Sequence, residues 1–226
     1  MLVYFTEILI NNFSVFNLFN YISFRVGGAI LTSLLFSLIF GNTIIQKLKN
    51  MQPIGQPIRS DGPLDHIVKK SGTPTMGGIL ILSSILFSTL IWADLNNVYV
   101  WIVLITFTSF GAIGFIDDFL KIKSNSSSGL KIKTRITLQI IIAFFVILSI
   151  KKYLPAEIST NLMFPFFKNF VVDLGWFFIP FGILIIIGSS NAVNLTDGLD
   201  GLAIVPVMIV GLSFALISYI VGNQIF

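Results

Sequence analysis

The amino-acid sequence predicts an all-α membrane protein, a polytopic bundle of six transmembrane helices behind an N-terminal segment lying in the membrane interface. Three observations predict it. Of the 226 residues, 55% are hydrophobic and only 11% charged, with a mean hydropathy of +0.93, far from the balance of a soluble domain. Six apolar stretches approach the roughly 20 residues needed to cross hydrocarbon. Lysine and arginine gather on one side of those stretches. The chain, 1–226, reads as one integral membrane domain.

The opening "MLVYFTEILINNFSVFNLFN" lacks the basic start and small-residue cleavage site of a signal peptide and suits an interfacial segment. The spans follow at Val26 to Ile45, Met76 to Ala93, Val98 to Ile116, Thr134 to Ile150, Leu174 to Ser190 and Leu202 to Val221, the fourth and fifth being the shortest. Each is expected to be helical, because lipid offers no partner to the backbone groups of an open strand. Pro180 and Pro206 are expected at helix ends or kinks. "KSNSSSGLKIK", Lys123 to Lys133, reads as a flexible polar loop to which no chemistry is assigned. "YLPAEISTNLMFPFFKNF", with Tyr153, Phe164, Phe166 and Phe167 among prolines, suits an interfacial loop.

Charge placement orients the bundle. Lys47, Lys49, Arg59, Lys69 and Lys70 follow the first span; Lys121, Lys123, Lys131, Lys133 and Arg135 follow the third; the opposite loops hold Lys151, Lys152 and Lys168. The positive-inside rule makes the first two groups cytoplasmic. An even number of spans then leaves both chain ends outside. Asp61, Asp65, Asp117, Asp118, Asp197 and Asp200, six of the ten acids, fall at cytoplasmic turns. Insertion does not require that, so chemistry is expected on this face. The absence of cysteine and the single histidine exclude thiolate and multi-histidine metal centres within the chain. A net charge of +4 carries no nucleic-acid signal when its positions already serve orientation.

Three polar clusters stand out. In "GFIDDFLKIK", Asp117 and Asp118 repel one another and, at a helix C-terminus, face the unfavourable end of the dipole. A solvated helix end beside Lys121 and Lys123 is the plain alternative; a divalent cation would relieve both problems, and oxygen-only ligation suits magnesium shared with a phosphate. In "NAVNLTDGLDGLA", Asn191, Asn194, Asp197 and Asp200 recur every third residue, which on one straight helix would spread them around its surface. We expect a helix ending near Asn191 to Asn194, a turn, and a new helix capped by Thr196 or Asp197 whose N-terminus faces an anion; ordinary capping of a short turn is the alternative. In "RSDGPLDHIVKKSGTPTMGGI", small residues open the second span and Lys70 is placed to meet a phosphate, although a basic membrane anchor would also account for the lysines. His66 reads as a solvated loop residue.

"DGPLDHIVKKSGTPTMGG", "GFIDDFLK" and "NAVNLTDGLDGLA", in this order and spacing, closely resemble the phospho-N-acetylmuramoyl-pentapeptide-transferase family, and the likeness extends to "FNLFNYISFR" and "PFFK". The resemblance implies a multi-pass enzyme of the bacterial inner membrane, active on its cytoplasmic face. It would transfer phospho-MurNAc-pentapeptide from UDP-MurNAc-pentapeptide to undecaprenyl phosphate, giving lipid I and UMP with Mg2+. It implies Asp117, Asp118 and Asp197 as catalytic residues, Asp117 and Asp118 as metal ligands, and Lys70, Thr75, Asn194, Gly198, Leu199 and Asp200 as contacts to the nucleotide-sugar. Partners would be those two substrates and membrane lipid, no nucleic acid, with a homodimer also open to it.

The family pattern continues past the equivalent of Phe226, through further spans, another metal-binding aspartate, an aromatic that stacks on uracil and a histidine-bearing loop. The 226-residue chain is accordingly expected to be poorly active or inactive alone. The alternatives are a related transferase of N-acetylhexosamine-1-phosphate, a non-catalytic remnant, and a secondary transporter. The last is disfavoured because its sites lie near the bilayer midplane and often across inverted repeats.

Overall fold

The computed structural model describes residues 2–9, 13–53, 55, 72–126, 128–164, 167, 170–197 and 201–222. It consists of α1 (Leu2–Leu9), a 3-10 turn (Ser14–Asn20), α2 (Ile22–Met51), α3 (Gly78–Trp92), α4 (Val98–Ser124) and α5 (Ile132–Tyr153), then a hairpin of β1 (Asn161–Met163) and β2 (Val171–Asp173), a 3-10 turn (Gly175–Phe177), α6 (Phe178–Thr196) and α7 (Ile204–Val221). The chain divides into two compact units, residues 1–159 and 160–226.

Five helices among the described residues are long and apolar enough to cross a membrane: α2, α4, α5, α6 together with its preceding turn, and α7. This is a nearly all-α, multi-pass membrane protein. The second of the six expected spans is the short one. Helix α3 has 15 residues, a rise of about 22 Å, short of a hydrocarbon core of about 30 Å. Its ends explain the length. Met76 has φ +71°, which cannot begin a right-handed helix, and Ala93 leaves the other end extended at φ −76°, ψ 155°. The fourth and fifth spans, shortest on hydropathy, lie in apolar helical stretches of 22 residues each.

In the first unit α2 lies along α3, α3 against α4, and α4 against α5. Small residues let the backbones approach. Leu82 covers Gly111 and Leu80 lies over Gly41. Gly28 sits directly beneath the ring of Trp92, whose Nε1 donates to Thr32 Oγ1 at 2.9 Å; that hydroxyl in turn donates to the Gly28 carbonyl at 2.7 Å. Phe19 stacks on the same ring at 5.7 Å and 11°, and Phe24 meets it edge-on at 6.0 Å. The N-terminal aromatic segment is thereby tied to the end of α3. A Cβ at Gly28 would lie 2.5–2.6 Å from two further Trp92 ring atoms. Gly28→Ala is expected to destabilise the unit by roughly 1–3 kcal/mol, the cost of overpacking. The measurement is a thermal scan in detergent micelles followed by tryptophan emission; an unaltered midpoint and spectrum would contradict the packing described.

Large apolar side chains remain exposed along α2, and every described residue of α7 is exposed. Lipid solvates such surface, so it carries no penalty in a bilayer.

In the second unit β1 and β2 pair antiparallel, Asn161 opposite Asp173 and Met163 opposite Val171. Asp173 Oδ1 accepts from Thr160 Oγ1 at 2.6 Å and from the Gly175 N–H at 2.9 Å, closing the hairpin onto the turn that starts α6. Sequence reasoning placed only an interfacial loop here, because three-residue strands are too short to show an alternating pattern.

Helix α6 also corrects an expectation. It does not end at Asn191 to Asn194 but runs to Thr196, with Asp197 at its C-cap. Asn191 Nδ2 donates to the Ile187 carbonyl at 2.9 Å and Thr196 Oγ1 to the Ala192 carbonyl at 2.9 Å. Polar groups satisfied one turn back do not break a helix. The next helix begins at Ile204 without a side-chain cap, so Thr196 and Asp197 close one helix rather than opening another.

Candidate active site

Asp117 and Asp118 lie inside α4, which continues two turns past the expected end at Ile116. Lys121 and Lys123 in the last turn suit the negative end of the helix dipole, and Asn125, in left-handed conformation at φ 48°, ψ 39°, closes it. Consecutive helical side chains diverge by about 100°, while positions three and four further on return to the same face. Lys121 stands at both spacings. Its Nζ lies 2.6 Å from Asp117 Oδ2 and 3.0 Å from Asp118 Oδ1. The relief that two adjacent carboxylates require is supplied first by an ammonium of the same helix.

The remaining two oxygens are also engaged. Asp117 Oδ1 accepts from the Leu130 backbone N–H at 2.7 Å, and Asp118 Oδ2 accepts from Thr75 Oγ1 at 2.6 Å. Leu130 can come so close because residue 129 is glycine. A Cβ there would meet the Asp117 carboxylate, lying 2.7 Å from its Cγ and 2.8 Å from its carbonyl oxygen. The polar loop to which no chemistry was assigned therefore supplies one wall of the site. Thr75 arrives from the segment before α3. Gly55, at φ +78°, lies back to back with Gly72, at φ +77°: a Cβ on Gly55 would be 2.7 Å from the Gly72 Cα. Only glycine permits that approach at that backbone angle.

The pair is partly shielded, the side chains of Asp117, Asp118 and Lys121 being 16%, 29% and 30% exposed. Water still screens their attraction, but the fixed donors on every oxygen make it a network rather than a lone surface contact. Among the described residues no three His, Asp or Glu side chains gather at one point. Two carboxylates nonetheless fit magnesium, which is commonly held by one or two carboxylates together with substrate phosphate. The ammonium of Lys121 marks where positive charge is favoured.

Of the other candidates, Asn194 is exposed on the last turns of α6 and Asp197 is exposed at its C-cap. Lys70, Gly198, Leu199 and Asp200 lie outside the described residues, as do Asp61, Asp65 and His66. Three contributors escaped sequence reasoning. The role of Lys121 was legible from its spacing to both aspartates. Gly129 carried only the signal of a loop glycine, and a backbone donor such as Leu130 N–H has no signature.

Fold and site together define a polytopic membrane protein that gathers two carboxylates at the end of a spanning helix. The chain belongs to glycosyl transferase family 4, whose family model matches residues 100–226. Residues 70–82 match signature 1 of phospho-N-acetylmuramoyl-pentapeptide-transferase. The two matched stretches meet in the hydrogen bond from Thr75 to Asp118. The reaction is thus transfer of phospho-MurNAc-pentapeptide from a nucleotide-sugar-peptide to a polyprenyl phosphate. Signature 1 favours this over the related hexosamine-phosphate transferase, and the family membership removes the transporter reading. Transferases of this family use a divalent metal.

Proposed function

We propose that the chain uses UDP-MurNAc-pentapeptide and undecaprenyl phosphate, forms lipid I and UMP, and works at the cytoplasmic face of the bacterial inner membrane with magnesium. The observation that carries this reading is the carboxylate pair, held with all four oxygens engaged beside the signature threonine. Asp117 and Asp118 would hold the metal, which when bound supplies positive charge to the phosphates. Phosphoryl transfer asks for alignment and electrostatic stabilisation more than for an unusual side chain. One aspartate of the pair orients or deprotonates the lipid phosphate. Lys121, within reach of both carboxylates, holds their mutual repulsion in check until substrate arrives.

Lys70, Asn194, Gly198, Leu199 and Asp200 are assigned to the nucleotide-sugar, and Asp197 to catalysis. Thr75 is given to the donor as well, and its hydrogen bond to Asp118 supports a part in both tasks. The basic loops support the cytoplasmic orientation, since they follow the positive-inside rule and would attract an anionic donor. The test is magnesium-dependent UMP release from UDP-MurNAc-pentapeptide in detergent with undecaprenyl phosphate as acceptor. A large excess of UDP-GlcNAc should not compete. Competition at comparable concentration would move the assignment to the hexosamine enzyme.

A further inference from the structure

Gln52 is the residue just past α2 and is only 4% exposed. A buried amide needs partners for both its oxygen and its nitrogen. Gln52 finds them on a single residue 23 positions away. Its Oε1 accepts from the Thr75 N–H at 2.9 Å, and its Nε2 donates to the Thr75 carbonyl at 3.3 Å while resting 3.8 Å from Met76 Sδ. Its own backbone is pinned as well, its N–H donating to the Lys49 carbonyl at 3.1 Å and its carbonyl accepting from the Gly55 N–H at 2.9 Å. Thr75 lies outside any helix, and its neighbour Met76 is held at φ +71°, a conformation disfavoured for a residue with a Cβ. A backbone in that state persists where surrounding bonds over-determine it, and Gln52 supplies two of them.

We propose that Gln52 is a positioning residue for the transfer reaction: its side chain clamps both backbone groups of Thr75 so that the threonine hydroxyl stays on Asp118. The proposal rests on Asp118 belonging to the reacting pair. The order of action is Gln52, then the Thr75 backbone, then the Thr75 hydroxyl, then the carboxylate. Among the described residues the Gln52 side chain bonds to Thr75 and Met76 and not to either carboxylate.

A mutant cycle on the full chain tests it. Gln52→Met keeps the volume and removes both hydrogen bonds; Thr75→Val removes the hydroxyl and keeps the shape. Each alone is expected to lower kcat by roughly tenfold or more, as small displacements of reacting groups do, with the donor KM moving less. Because Gln52 acts through the hydroxyl, the double variant should be no slower than Thr75→Val alone. Multiplying losses would overturn the proposal, since a merely structural glutamine would cost the same in either background. Thr75→Ser in the wild-type background should recover most of the rate.

Labelling of Asp118 by a water-soluble carbodiimide, read by mass spectrometry, runs the same cycle without turnover. The single variants should label more than the parent, and the double no more than Thr75→Val. Gln52→Glu, which keeps the acceptor for the Thr75 N–H, substitutes should Gln52→Met fail to fold. Additive labelling overturns the role of Gln52 whatever happens to turnover. Coupled labelling with unchanged turnover would confirm the clamp and remove Asp118 from the reaction instead.

Discussion

Asp117→Asn and Asp118→Asn are both expected to lower kcat on the order of 10²–10³-fold, the scale of losing one electrostatic contributor to a transition state, yet to differ in stability. Each removes a negative charge from the pair, and charge is what would hold a metal ion against phosphate. The amide geometry separates them. Both oxygens of Asp117 accept, one from Lys121 at 2.6 Å and one from the Leu130 N–H at 2.7 Å. An asparagine there must turn its NH2 against one of those donors, leaving a clash and an unpaired donor. Asp118 instead shares an oxygen with the Thr75 hydroxyl, which can rotate to accept from an asparagine Nδ2. Asp117→Asn should therefore lower the melting temperature in detergent, while Asp118→Asn leaves it near that of the parent. Equal melting temperatures with wild-type turnover in either variant would remove the carboxylate pair from the chemistry.

The difference between these variants was not legible in the sequence, although the pair itself was. Periodicity and hydropathy located the helices because burial in lipid demands long apolar runs, and positions three and four residues apart on a helix must meet, so Lys121 could have been placed against both aspartates from spacing alone. Nothing comparable announced Gln52. Its partner is 23 residues distant in sequence, and a contact of that separation leaves no local pattern. The misplaced end of α6 has another cause. A turn was expected because polar residues recurring every third position would be spread around one straight helix, but Asn191 and Thr196 return their hydrogen bonds to carbonyls four residues back, and a helix absorbs polar groups satisfied in that way. The shortened α3 has a third, for the apolar run does begin near Met76, and it is the backbone angle of that residue, invisible to hydropathy, that delays the helix to Gly78.

Gly129→Ala should be the more selective lesion of the same site. The backbone at residue 129 is not in the left-handed region, so alanine meets no conformational penalty there, and only space opposes it. The added methyl would need the room taken by the Asp117 carboxylate, 2.7 Å from its Cγ. Swinging the carboxylate alone would leave the methyl 2.8 Å from the Asp117 backbone carbonyl oxygen, so the loop must withdraw, which breaks the 2.7 Å bond from the Leu130 N–H. Asp117 then loses one of the donors that fix it, and on its proposed role a displacement of about an ångström is worth up to roughly 10²-fold in rate. The loop is half exposed, so the fold can accommodate the shift, and the melting temperature should fall little. Ser128→Ala, one residue earlier on an exposed side chain that among the described residues bonds to Ser126 of the same loop, is the matched control and should keep wild-type kcat. A Gly129→Ala enzyme with unimpaired kcat would mean that the loop does not set the position of Asp117 during turnover. Loss of rate in Gly129→Ala but not in Ser128→Ala, with both folded, would assign that part of the catalytic geometry to a segment whose composition suggests only a linker.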